Sequence, residues 1–93
     1  PYYGYLFKVL AGQGPAAKGG RRSYLLPGPN GTLHLTGGIA LVAAPAEYDV
    51  SGRLTYLVGI DQEIWQADLG PETRKIVTQM SEYNPSGEWT LAP

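Results

Sequence analysis

The sequence predicts an α+β fold, an antiparallel β-meander sheet of about four to six strands covered by one C-terminal amphipathic helix. Three observations carry this expectation. Thirteen glycines and eight prolines cut the chain into short apolar runs, a spacing that suits an antiparallel sheet with irregular loops better than a helical bundle. Residues 37–52 join an almost continuous apolar run to a Pro-Ala-Glu-Tyr turn. Gly70-Pro71-Glu72-Thr73 then opens a helix, with Pro suited to the first helical position and Glu72 to the positive end of the helix dipole.

Along the chain, Tyr3, Tyr5, Phe7 and Val9 alternate with Gly4, Leu6, Lys8 and Leu10, the period-2 pattern of a first strand over residues 2–11. Residues 12–22 read as an extended Gly-rich loop, followed by a short strand over 23–26. Pro27-Gly28-Pro29-Asn30-Gly31 forces a turn, because Asn-Gly accepts positive φ at little cost. Residues 32–36 return as a short strand. Residues 39–44 are expected to form a central strand covered on both faces, since they lack the alternation of a half-buried one. After the 46–52 turn, Leu54, Tyr56 and Val58 share one side of the next strand. Asp61-Gln62 forms a hairpin tip, and residues 64–67 complete a three-stranded meander over 38–67. Ile76, Val77, Met80 and Tyr83 fall on one face of a helix predicted over 71–83. Trp89 and Leu91 pin the tail.

A chain of 93 residues holds one domain with one modest core, read as a single globular domain over 1–93. It begins at Pro1 with no initiator Met, so a processed product or part of a longer protein is expected. The absence of Cys excludes disulfides, thiolate nucleophiles and Cys-ligated zinc without fixing a compartment. The apolar run of 37–46 is far short of the ~20 residues of a membrane helix, so no direct membrane span is expected. Charge is uneven. Lys8, Lys18, Arg21 and Arg22 precede residue 41 with no acid among them, whereas eight acids face three bases from there on, a +4 part followed by a −5 part. Opposite poles of this kind can steer head-to-tail self-association.

No catalytic set emerges. His34, the sole histidine, lies between two leucines, and nothing around Ser23, Ser51 or Asp49 marks a nucleophile elbow or oxyanion loop. Asp61, Glu63 and Asp68 lack the spacing of a calcium loop. Residues 12–20 lack the Lys-Ser/Thr step of a phosphate loop, and Pro15 removes an amide donor there. Lys18, Arg21 and Arg22 with Tyr24 form too small a basic group for nucleic acid in an acidic chain. No enzyme activity, cofactor or metal is therefore expected. Ten aromatic residues exceed what so small a core can bury, and Tyr and Trp are favoured where proteins meet. The candidate interaction residues are Arg21, Arg22, Tyr24, Tyr48, Asp49, Trp65 and Trp89.

The chain resembles the C-terminal part of a bacterial family known as domain of unknown function 2950. The matching pieces are Pro1-Tyr2-Tyr3-Gly4-Tyr5, Gly12-Gln13-Gly14-Pro15 with Gly19-Gly20, Gly37-Gly38-Ile39-Ala40-Leu41-Val42-Ala43, Pro45-Ala46-Glu47-Tyr48 with Ser51-Gly52, Asp68-Leu69-Gly70-Pro71-Glu72-Thr73, and Trp89. This resemblance implies an exported bacterial protein with a larger upstream part, and brings no catalytic residues. A weaker resemblance is to the globular heads of type IV pilins, carried by Gly4-Tyr5, Ala43-Ala44-Pro45, residues 52–56 and residues 61–64. The expected function is a non-catalytic extracytoplasmic structural or assembly module, such as the pilin-like head of a surface filament, with protein partners reached by self-association or through an upstream or partner helix. The alternative is a periplasmic small-molecule or glycan-binding module in which Tyr48, Trp65 and Trp89 stack on a ligand.

Overall fold

The computed structural model describes residues 4–93. Pro1, Tyr2 and Tyr3, and with them the predicted start of the first strand and part of its family motif, lie outside the described residues. Five strands form one antiparallel sheet: β1 (Tyr5–Leu10), β6 (Ala40–Pro45), β7 (Leu54–Val58), β8 (Ile64–Asp68) and β9 (Thr90–Leu91), in that spatial order. The predicted meander is β6-β7-β8, and its tip holds Gln62 at φ 66° as expected of a tight hairpin. Two small ribbons accompany the sheet. β2 (Gly12–Gln13) pairs with β3 (Arg22–Ser23), and β4 (Leu25–Pro27) pairs with β5 (Leu33–Leu35).

Residues 12–22, predicted as a loop, are organised by one buried side chain. Gln13 is 1% exposed. Its amide donates to the carbonyls of Lys18 (2.8 Å) and Gly20 (2.6 Å), while its oxygen accepts the Tyr24 hydroxyl at 2.7 Å. A buried amide so fully used fixes the segment as a side-chain-centred turn.

The helix is shorter than predicted. A 3₁₀ turn over Gly70–Glu72 leads into α1 (Thr73–Gln79), and Met80 is already extended with ψ 131°. The seam toward the sheet is Thr73 and Val77, one turn apart, whereas Ile76 is exposed. The reason lies across the chain. The Lys8 ammonium donates to the carbonyls of Val77 (3.1 Å), Thr78 (2.9 Å) and Met80 (2.6 Å), of which Val77 and Thr78 are acceptors that another turn of helix would use. Beyond that stop the backbone is extended, and Tyr83 pairs with β2: its amide donates to Gly12 and its carbonyl accepts from Gly14, both at 2.9 Å.

The core is therefore one-sided. Leu10, Ala40, Val42, Ala44, Leu57, Val77, Tyr24 and Tyr83 form a single cluster, with Trp65, Leu69, Met80 and Trp89 packed against it. The expectation that 39–44 is covered on both faces is corrected. Ala40, Val42 and Ala44 are buried, but Leu41 is exposed and Ala43 is half-buried. Small residues and a short apolar run hid an alternation that only the placement of α1 and residues 80–91 reveals.

Two predictions follow from this packing. The Thr55 hydroxyl is buried on the covered face with no partner among the described residues, so Thr55→Val is expected to raise stability by about 1 kcal/mol in urea unfolding. Lys8→Met removes the ammonium from the Thr78 and Met80 carbonyls and leaves Val77 with the Met80 amide alone, and a loss of about 1 kcal/mol is expected in the same experiment.

Candidate interaction surface

The registers place Phe7 beside Ala43, Val9 beside Leu41, Leu41 beside Val58, Ala43 beside Tyr56, Tyr56 beside Gln66 and Val58 beside Ile64. Side chains of paired residues share a face, so these residues form one continuous surface, opposite α1. It is apolar and open: Phe7 is 58% exposed, Val9 47%, Leu41 37% and Ile64 46%. The Tyr5 and Tyr56 rings meet on it with centroids 6.3 Å apart. No charged side chain lies on these paired positions until Asp68, at one corner opposite Leu54. The largest contiguous apolar patch on a protein is often a functional one.

The patch runs to a free edge. β1 is the outermost strand. The Gly4 carbonyl accepts from Ala46 at 2.8 Å, and the alternation of an antiparallel ladder then directs the amides and carbonyls of Tyr5, Phe7 and Val9 outward. Among the described residues none pairs with this stretch. Farther along, the edge is closed by the Tyr24 amide, which donates to Ala11 at 2.8 Å. Edge strands with exposed apolar side chains favour pairing with another chain.

The acidic corner is an ordered turn. Tyr48 donates its hydroxyl to Asp68 at 2.6 Å, and the Arg53 guanidinium contacts Asp49 at 2.8 Å and Asp68 at 3.7 Å while lying 5.9 Å from the Tyr48 ring centre. The hydrogen bond to Asp68 raises the Tyr48 pKa. The same bond, with the Gly70 amide, holds Asp68 below the usual carboxylate range, and Asp49 raises Arg53. Asp49 adopts φ 67°, a turn conformation that Asp tolerates. With Glu47, this corner carries three acids against one base.

The other predicted residues are dispersed. Arg21 pairs with Glu82 at 3.2 Å and Lys18 with Glu63 at 3.7 Å, so part of the basic pole is offset within the chain by weak, exposed ion pairs. Arg22 donates to the Gly37 carbonyl at 2.7 Å and covers the Tyr24 ring. Tyr24 itself is fully buried. The expectation that it is a contact residue is corrected: aromatic character at a short strand marks a core anchor here, not a surface. Trp65 and Trp89 pack on the covered side, where the Trp65 indole donates to the Tyr83 hydroxyl at 2.9 Å. Tyr48 bonds to Asp68, on the opposite face of β8 from Trp65, so the three aromatics do not come together around a ligand. Asp61 accepts the Tyr83 hydroxyl at 3.1 Å, Glu63 faces Lys18, and Asp68 faces Tyr48. Those three acids are thus held separately. His34 is exposed on the β4-β5 hairpin.

Sequence reasoning missed the open face itself, although its signal was present: apolar residues occupy both parities of β1 and β6, while only one short helix is available to cover them.

A family model described as protein of unknown function (DUF2950) matches residues 1–92. No curated protein and no solved structure matches the chain, so the resemblance to pilin heads gains no support.

Burial pushes the Tyr83 hydroxyl up to about 12, Asp61 adding to the rise and the Trp65 N–H opposing it. Because the unfolded phenol ionises near 10, the stability held in the protonated form is complete below pH 10 and lost as pH rises to about 12. The loss is on the order of 2–3 kcal/mol across that window. Chemical denaturation at a series of alkaline pH values is expected to show a shallower decline for Tyr83→Phe than for the native chain.

Proposed function

The chain belongs to the DUF2950 family, and from this premise we propose that it is a non-catalytic assembly module that binds other protein surfaces through the open face of its sheet. The observation that carries the reading is the uncharged surface of Phe7, Val9, Leu41, Tyr56, Val58 and Ile64, continuous with the free edge of β1. A five-stranded sheet covered on one side leaves a second apolar layer to be filled, and the stable solutions bury both faces or wet the second with polar residues. Here the second face leaves Phe7, Val9, Leu41 and Ile64 exposed and carries no charge short of Asp68. In this proposal the module works outside the cytoplasm, the compartment that the family resemblance implies, as a subunit head in a surface assembly.

Binding of a small molecule or glycan draws no comparable support, because Trp65 and Trp89 serve the core while Tyr48 serves the acidic corner. Phe7 and Ile64 are exposed, so Phe7→Lys with Ile64→Lys should leave the fold intact by circular dichroism. In the protein as it occurs in its host, the double variant is expected to leave the high-mass fractions of the cell envelope and run at its own mass. An unchanged distribution would remove the open face as the site of assembly.

A further inference from the structure

The β4-β5 hairpin is a second exposed apolar surface. Leu25, Leu26, Pro27, Leu33 and Leu35 are all exposed, and residues 25–36 include no Asp, Glu, Lys or Arg. Both faces of the ribbon are exposed, within a chain that measures 45 × 25 × 20 Å. Its base is firm. Gly37 donates to the Tyr24 carbonyl at 2.9 Å, and Tyr24 is locked to Gln13. Its turn is closed by Gly28, whose amide donates to Thr32 at 2.8 Å, and by Gly31, whose amide donates to Gly28 at 3.0 Å. An isolated two-stranded ribbon is marginal in water unless something packs on it.

We infer that the β4-β5 hairpin of one copy seats on the open sheet face of the next, so that the chain assembles head to tail with a second copy of itself. The inference rests on the reading of the open face as a docking surface and names its occupant. Dimensions agree: four long strands present a face of roughly 20 × 17 Å, and the paired three-residue strands of the hairpin, about 10 Å long, fit within it. Two such faces laid together leave the hairpin leucines bare, and any contact confined to one face covers no more than on the order of 350 Å² of it, below the about 800 Å² per partner of a stable interface. The heterologous contact covers both surfaces, and each copy makes it twice. Charge agrees as well. Arg21 and Arg22 stand at the hairpin base, Arg21 paired with Glu82 and Arg22 with no carboxylate among the described contacts, whereas Glu47, Asp49 and Asp68 outnumber Arg53 at the corner of the face. Arg22 is bound only to a carbonyl and an aromatic ring among the described contacts, and keeps its charge free for a carboxylate. Each contact is small, so association is weak and concentration-dependent.

The test uses sedimentation velocity over a concentration series, with the hairpin variant Leu33→Asp and the face variant Phe7→Asp, each checked for native circular dichroism. Leu33→Ser and Phe7→Ser serve as milder substitutes if either variant fails to fold. The native chain is expected to form a ladder of growing species, each variant alone to remain monomeric, and their mixture to form dimers that cannot extend. Because the chain lacks Cys, Leu33→Cys and Phe7→Cys add a second readout: a disulfide is expected in the mixture and not within either variant alone. If Phe7→Asp is monomeric while Leu33→Asp assembles as the native chain does, the hairpin is not the occupant, although the face still docks. If Phe7→Asp assembles normally, both readings fail. A native chain that stays monomeric but floats with phosphatidylglycerol vesicles through its hairpin would overturn self-assembly in favour of a lipid surface.

Discussion

Tyr83 is the joint on which the arrangement depends. Its backbone continues the small β2-β3 ribbon, its ring fills the core at 1% exposure, and its hydroxyl receives the Trp65 indole N–H and donates to Asp61 at the β7-β8 tip. One residue thereby fastens the return segment after α1 to three separate parts of the chain. Gly59 is the complement, since a Cβ there would fall on the Tyr83 ring. Such a network is fully satisfied, and in a low-dielectric interior that is the condition for a polar cluster to add specificity instead of cost.

The joint also decides which face is left uncovered. Lys8 ends α1 after two turns, Tyr83 ties the following residues against β2, and Trp89 packs on the core before β9 joins the sheet edge. The chain from residue 70 onward is spent on one side. Nothing of the described chain remains to lie over Phe7, Val9, Leu41 and Ile64, and their exposure follows from the path of the C-terminal segment rather than from any local feature of β1, β6 or β8. The open face is a consequence of a one-sided core.

Much of the sheet was legible because alternation, Pro and Gly mark strands and turns directly: the 54–58 strand, the Asp61-Gln62 tip and the turn around Asn30-Gly31 all stand where their residues predict. Helix length was not legible, because the capping ammonium belongs to Lys8, some seventy positions away in sequence. The loop over 12–22 concealed an organised core element, because Gln13 acts through contacts that no periodicity encodes. Among the candidate interaction residues, Tyr48 and Asp49 do sit at a charged corner of the open face, while Tyr24, Trp65 and Trp89 proved to be core or core-facing. Aromatic content says that large surfaces must be buried somewhere, but not whether the same chain or another one buries them.

The most direct test of the account is an amide and methyl NMR concentration series on the native chain. Shifts that grow with concentration and are confined to Phe7, Val9, Leu41, Val58, Ile64 and the hairpin residues 25–36 are the predicted result. Shifts that cluster on α1, or spectra that do not change at any concentration, would contradict the claim that the uncovered face of the sheet is the surface through which this chain assembles.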